Sequence, residues 1–441
     1  MESLEQWADE QYCRAAAAML VSISPVEIIK TRPGFGQTVR GGRGSVVASP
    51  ILASYDPDPD YFFHWYRDSA VVIDALRLLF EDGTVGIEAL EYFGDFVRFS
   101  RSLRQLDGRA LVSTPSWRAK VAPDFIKFLR TDADLAAVRG EAVSAETRVN
   151  PDGTLDISGW PRPQHDGPPL RALTLLRWAR SAALDAALSA ELSALLRSDL
   201  SFTARHWREP SFDIWEEEKG LHYYTLCVAA KALQEGADWL ERHDEHRAAQ
   251  GYRIDVDAIR RMLDDFWLSQ AGHYRSRVLS SGALSTKELD IAVILAAIHA
   301  GHGADAHSVH DPRMQATLAR LEDLFDALYP INRNRSAQMA PAMGRYAGDV
   351  YYSGGAYFFS TLGAAEFCFQ AAAGDSARED WIKRGDAFLA TVRAFTPPSG
   401  EMSEQFDQRT GVQTSARHLA WSYASFISCI AARRVVLGMT Q

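Results

Sequence analysis

About twelve stretches of this chain place apolar residues three and four positions apart, and almost nothing alternates with a period of two. That spacing is helical. The segments lie near 2–21, 67–81, 86–105, 167–184, 186–207, 221–242, 254–268, 286–299, 311–329, 355–373, 376–395 and 413–435. Strand-like text is confined to GSVVASPILAS (44–54) and HYRSRVL (273–279). A helix with an apolar stripe must bury it against a neighbour, and twelve helices paired as six hairpins in a closed ring give every one of them such a neighbour. The expected fold is therefore all-α, a six-hairpin α/α barrel with minor β structure. No linker rich in Pro, Ser or Thr and no repeat of residue identity divides the chain, so residues 1–441 are read as one catalytic-type domain.

Three irregular segments, 31–66, 106–166 and 330–354, are long for a compact domain, and loops of that length are usually functional. Five stretches in or beside such loops mix aromatics with charges: DYFFHWYRDSA (60–70), GWPRPQHDGPPLRA (159–172), FDIWEEEKG (212–220), GRYAGDVYYSGGAYF (344–358) and MSEQFDQRTGVQTSARHLAWSYA (402–424). Each runs into a predicted helix. In a ring of hairpins such loops gather at one end, giving a pocket floored by aromatics and rimmed by Arg, Asp and Glu. Sugars suit that lining, because ring faces stack on Trp or Tyr while vicinal hydroxyls bond to guanidinium and carboxylate groups. The chain carries 11 Trp, 15 Tyr and 21 Phe, enough for such surfaces as well as a large core.

The net charge of -10 argues against nucleic acid or an anionic membrane as a partner. No run of 18 uncharged apolar residues exists, and MESLEQWADEQYCRAAAAML has acids where a signal peptide needs bases, so it reads as a first helix. A cytoplasmic protein is expected, or a secreted or periplasmic one if a leader has been removed. Cys13, Cys227, Cys368 and Cys429 lack CxxC spacing and are read as buried free thiols.

Acid–base chemistry on a sugar needs two carboxyl groups in different surroundings, one kept protonated by burial against apolar groups and one kept ionised by polar neighbours. Glu216, directly after Trp215, suits the first role, and Trp215 is itself a candidate sugar-binding aromatic. Glu404, between Ser403 and Gln405, suits the second. Either glutamate alone would be a solvated helix cap or an ion-pair partner; it is their company that favours chemistry.

At these residues the chain resembles the glucoamylase family, inverting exo-acting α-glucosidases built on a six-hairpin α/α barrel. The resemblance runs from about residue 44 to 430, with five motifs in the family's order. It implies that Glu216 is the general acid and Glu404 the general base. Arg67 and Asp68 match the pair that grips the non-reducing glucose, and Tyr61 and Trp65 aromatics beside it, with the Tyr61 hydroxyl near the attacking water. Trp160 matches the tryptophan near the acid, Glu217 and Arg345 groups around the scissile bond, and Trp421 a pocket wall; Glu218 is read as solvated. The resemblance implies an α-linked gluco-oligosaccharide substrate, β-glucose as product and no cofactor or metal; a monomer is the default. An α-1,6-preferring or trehalose-cleaving enzyme, a sugar epimerase and a sugar-binding protein are the alternatives. His64, Tyr66 and His165 depart from residues common in the family. No starch-binding module or N-terminal β-sandwich is recognised.

Other signals are set aside. HAGHGADAHSVH (299–310) and HDEH (243–246) lack the ordered ligand spacing of zinc hydrolases, and their histidines are read as exposed loop residues. PGFGQTVRGGRG (33–44) lacks the strand and helix of a phosphate-binding loop. There is no GxSxG elbow.

Overall fold

A computed structural model describes residues 3–54, 57–182, 184–301, 303, 306–374 and 377–439. Among them are fourteen α-helices: α1 (Leu4–Leu20), α2 (Tyr66–Glu81), α3 (Glu88–Leu103), α4 (Gly108–Val112), α5 (Asp132–Ala137), α6 (Gly167–Ser181) and α7 (Ala186–His206) come first. They are followed by α8 (Tyr223–Glu241), α9 (His246–Asp264), α10 (Ala292–Ala300), α11 (Pro312–Leu328), α12 (Phe358–Ala372), α13 (Arg378–Phe395) and α14 (Ala420–Leu437). Apart from the short α4 and α5, these are the twelve segments that the periodicity marks.

Six helices close a ring: α2 packs on α6, then α8, α10, α12 and α14, which returns to α2. The others form an outer layer, with α1 against α14, α3 against α2 and α7, α7 against α6, α9 against α8, α11 against α10, and α13 against α12. The sequence explains who goes where. The ring helix α12, FFSTLGAAEFCFQAA, is apolar on nearly every side and is buried almost throughout. The outer helix α9 buries only Ala249, Val256, Ile259 and Leu263, one stripe at helical spacing. Aromatic stacking ties the layers: Trp178 of α6 lies 4.5 Å from Phe93 of α3 at 10°. At the head of α6, Gly167 lets α2 approach, since any Cβ there would stand 2.6 Å from that of Tyr66.

Among the described residues, twelve short strands pair in small antiparallel sheets. They are β1 (Ile29–Arg32) with β2 (Gln37–Arg40), β3 (His64–Trp65) with β4 (Arg148–Val149), and β5 (Ser211–Phe212) with β6 (Lys219–His222). Then come β7 (Trp267–Leu268) with β8 (His273–Tyr274), β9 (Arg277–Leu279) on β6, and β10 (Ala356–Tyr357), β11 (Gln405–Phe406) and β12 (Gln413–Thr414) in one sheet. Several lie just before a ring helix and aim the loop that precedes it.

Some boundaries differ from the sequence reading. The helix expected at 286–299 starts at Ala292, because the Asp290 carboxylate accepts the Ala292 N–H at 2.8 Å and fixes a turn there. The one expected at 413–435 starts at Ala420, its first residues being strand β12 and a turn. The 254–268 segment spans His246–Asp264 instead. Residues 44–54 form no strand, only an isolated bridge from Val46 to Ile23, whereas 273–279 does contain β8 and β9. Residues 2, 183 and 376, inside expected helices, lie outside the described residues. Cys13 is exposed, not buried, because it falls on the solvent side of α1; the other three cysteines are buried thiols. No helix among the described residues is long and apolar enough to cross a membrane.

Candidate active site

Two cavities lie at opposite ends of the ring. The larger, about 610 Å³, is walled by the later turns of the ring helices. Its polar groups satisfy one another: Arg177 bonds to Asp74 at 2.6 Å and to the His299 carbonyl, and Glu366 accepts from Ser428 and Gln370. The smaller, about 230 Å³, lies where the loops enter the ring helices, and all eleven sequence-derived candidates line it: Tyr61, Trp65, Arg67, Asp68, Trp160, Trp215, Glu216, Glu217, Arg345, Glu404 and Trp421. Here two buried polar atoms, Arg67 Nε and Trp421 Nε1, have no partner. Buried polar atoms are almost always paired, so a cluster without partners at a cavity wall marks where a polar ligand completes the pairing. The smaller cavity is therefore the candidate active site.

Glu216 sits in the loop of the β5–β6 hairpin. The turn is closed by the Glu216 N–H donating to the Asp213 carbonyl at 2.9 Å and by the Glu217 N–H donating to the Asp213 carboxylate at 2.8 Å. It puts Glu216 at φ 64°, a left-handed conformation that non-glycine residues seldom adopt and that clusters at functional sites. The carboxyl group accepts from three donors. Trp65 Nε1 reaches Oε1 at 2.8 Å, Arg67 reaches the same oxygen at 3.2 Å, and Trp160 Nε1 bonds to Oε2. The tryptophans therefore present N–H edges to this glutamate, not the apolar wall that the sequence suggested. Trp215, its chain neighbour, points elsewhere: its N–H bonds to Asp290 at 2.9 Å and its ring stacks on Phe359.

Glu404 precedes β11, held by its N–H to the Ala416 carbonyl at 2.8 Å. Burial pushes its carboxyl up to about 7, against the lowering effects of the Ser415 hydroxyl that donates to Oε2 and of the Arg345 charge. The two environments are thus opposite to the sequence reading: the candidate base is the group lifted by burial, and the candidate acid is the one ringed by donors. A base lifted to about 7 is still serviceable, since proton transfer is most efficient when the pKa lies near the working pH.

Arg67 and Asp68 open α2. Arg67 is gripped by Asp166 at 3.3 Å and Asp68 at 3.2 Å as well as by Glu216, and its guanidinium lies over the Trp421 ring at 5.4 Å. Burial raises the carboxyls of Asp68 and Asp166, the latter to about 6. Trp421 stacks on Phe359 at 4.5 Å and 9°, forming the aromatic floor. The Tyr61 hydroxyl is 2.6 Å from that of Tyr351, and burial followed by the Glu404 charge raises its pKa. Arg345 bonds to Asp349 through Nε and Nη2, and Nη2 also reaches Glu217 at 3.1 Å. The other Glu217 oxygen accepts from Lys287 at 2.7 Å and from Tyr346.

Sequence reasoning missed Asp166, Tyr351, Phe359, Asp349 and Ser415, although all but Phe359 lie inside the quoted stretches. It also missed Arg277, Lys287 and Asp290, whose segment carries no aromatic–charge signature. Glu218 is half-buried and paired rather than simply solvated; it bonds to Arg277 and Ser285, each at 2.9 Å, because Arg277 is buried beneath it. His64, buried with its Nδ1 accepting the Val46 N–H at 3.0 Å, is held neutral by burial, its pKa pushed down to about 3. Burial likewise lowers His165 to about 4, between Phe202 and His206, and Tyr66 is buried. None of the three lines the cavity. The histidines at 299–310 are not simply exposed loop residues: His299 ends α10 with Nδ1 against the Tyr224 hydroxyl at 2.7 Å, and His307 is buried against Tyr223. His302 lies outside the described residues. Of the HDEH pair, His246 binds Glu241 and His243 packs on Trp239.

A family model described as "Glycosyl hydrolases family 15" matches residues 145–382 and 375–431. A Schizosaccharomyces pombe protein named "Probable glucoamylase" is 30% identical, the match covering 99% of this chain and 93% of that one. A glycoside hydrolase family 15 glucoamylase from Hypocrea jecorina superposes with a TM-score of 0.80 at 24% identity, over 99% of this chain and 73% of its own. A glucoamylase from Saccharomycopsis fibuligera gives 0.78 at 21% identity, over 99% and 96%.

Proposed function

Because this chain belongs to glycosyl hydrolases family 15 and is a glycoside hydrolase of glucoamylase type, we propose that it removes β-glucose from the non-reducing ends of α-1,4-linked glucans and short gluco-oligosaccharides, with Glu216 as general acid and Glu404 as general base. One observation carries the assignment. The two glutamates face the same aromatic-lined cavity as the partnerless Arg67 Nε and Trp421 Nε1, groups that sugar hydroxyls would complete.

In this reading the terminal glucose enters the cavity and lies against Trp421 and Trp65, gripped by Arg67 and Asp68. Glu216 gives its proton to the oxygen of the scissile bond. Glu404 takes a proton from a water that attacks the anomeric carbon from the opposite side, inverting it, with the Tyr61 hydroxyl beside that water. Inversion asks for carboxyl groups roughly 6.5–9.5 Å apart, leaving room for the water. Arg345 and Glu217 contact the sugar on the leaving side. The Trp421–Phe359 stack lines the cavity; a cavity blind on that side would admit only a chain end, which would account for exo action. No observation on this chain favours the epimerase or binding-protein readings.

Initial rates on maltose, maltotriose, isomaltose and trehalose test the proposal. The α-1,4-linked pair should be cleaved fastest; preference for isomaltose or trehalose would overturn the linkage assignment.

A further inference from the structure

The segment from Arg277 to Asp290 supports the acid-bearing loop from below. Arg277 is completely buried on β9, hydrogen-bonded to β6, and its guanidinium meets three carboxylates. Nη1 donates to Asp213 at 2.5 Å and to Glu218 at 2.9 Å, while Nη2 donates to Asp290. Asp213 closes the start of the turn and Glu218 its end. Asp290 receives the N–H of Trp215. One cation thus holds both ends of the six-residue loop and the ring of the residue before Glu216. The same segment adds Ser285 to Glu218 and Lys287 to Glu217.

We propose that Arg277 is the positioning residue for the proton donor: by clamping Asp213, Glu218 and Asp290 it holds the 213–218 turn in the shape that delivers Glu216 to the scissile oxygen. Arg277 is not among the residues lining the cavity, so it acts through the turn. A planar guanidinium with several fixed donors can serve three acceptors at once, whereas an ammonium concentrates its charge at one point. The left-handed backbone at Glu216 makes the clamp necessary, because a conformation of that kind persists only when its surroundings over-determine it. This inference rests on Glu216 being the acid.

Two substrates separate acid positioning from general damage. Maltose needs protonation of its leaving oxygen. In α-glucosyl fluoride the C–F bond breaks to release fluoride, which departs without a proton, so only the glucose grip and the base are required. Arg277→Lys should lower kcat on maltose roughly 100-fold, the scale of loss that an ångström of misplacement can cause, and leave α-glucosyl fluoride turnover within about 3-fold. Glu216→Gln should show the same split more steeply, on the scale of general acid catalysis, roughly 10²–10⁴-fold. Asp290→Asn, which weakens one arm of the clamp while keeping its shape, provides a second variant should Arg277→Lys fold poorly, and should give the same selective loss at smaller size. Parallel loss on both substrates, or unchanged turnover on maltose, would overturn the proposal. A Glu216→Gln enzyme that loses both substrates equally would instead remove the acid assignment beneath it.

Discussion

Replacing Ser415 by alanine removes a single oxygen from a fully buried site, yet it should move the pH profile of the whole enzyme. The Ser415 hydroxyl donates to Glu404 Oε2 and is the largest influence holding that carboxyl down; burial is the larger force lifting it to about 7. A hydrogen bond to a charged group contributes about 1.5–3 kcal/mol. At about 1.36 kcal/mol per pKa unit, its loss should raise the Glu404 pKa by roughly 1–2 units. The sign follows from the role. A general base must be ionised, so activity is present above its pKa and lost as pH falls through it. In Ser415→Ala the acid limb of kcat/KM, which reports the free enzyme, should therefore move to higher pH by that amount. The assay is initial-rate hydrolysis of maltose between pH 3 and 9, with the same buffers for both proteins. The alkaline limb should stay where it is, because Ser415 touches neither Glu216 nor any of its donors, so the active window should narrow from its acid side. An acid limb that stays in place, or moves to lower pH, would refute the claim that Glu404 is the titrating base.

Glu216→Gln and Glu404→Gln should each lower turnover of maltose by roughly 10²–10⁴-fold, read by glucose release, while protein stability is kept. Asp166→Ala would strip Arg67 of one of its three carboxylate partners; binding of the glucose mimic 1-deoxynojirimycin, measured by calorimetry, should weaken by about 10-fold, on the scale of one hydrogen bond to a charged group. Arg171 holds Asp199 bidentately at 2.7 and 2.8 Å, both side chains fully buried between α6 and α7. Arg171→Ala leaves an uncompensated buried carboxylate and should cost about 3–5 kcal/mol in urea unfolding; a loss below 1 kcal/mol would show that the pair carries little.

The twelve long helices were legible because burial of an apolar stripe leaves a local, periodic trace, as in α9. The cavity was legible because aromatic and charged residues cluster in the loops entering the ring helices. What sequence could not show is direction. Trp215 adjoins Glu216 in the chain, but successive residues of a turn point different ways: its ring goes to Phe359 and Asp290, and the neighbours that count, Trp65 and Trp160, come 151 and 56 residues before Glu216. That is why the apolar setting expected for Glu216 and the polar one expected for Glu404 were interchanged. The Arg277 clamp was invisible for the same reason: its carboxylates lie 64, 59 and 13 residues away, with no periodicity to connect them. The reading of His299 and His307 as exposed loop residues fails because irregular spacing carries no sign of burial: His299 is carried inward by the last turn of the apolar ring helix α10, and His307 packs on Tyr223.

The most direct test of the central claim is the anomer first released from maltotriose, followed by proton NMR before mutarotation mixes the signals. Water activated by Glu404 on the face opposite the leaving group predicts that β-glucose appears first and α-glucose grows in only at the rate of mutarotation. α-Glucose as the first product would mean retention through a covalent intermediate and would contradict the roles assigned to both glutamates.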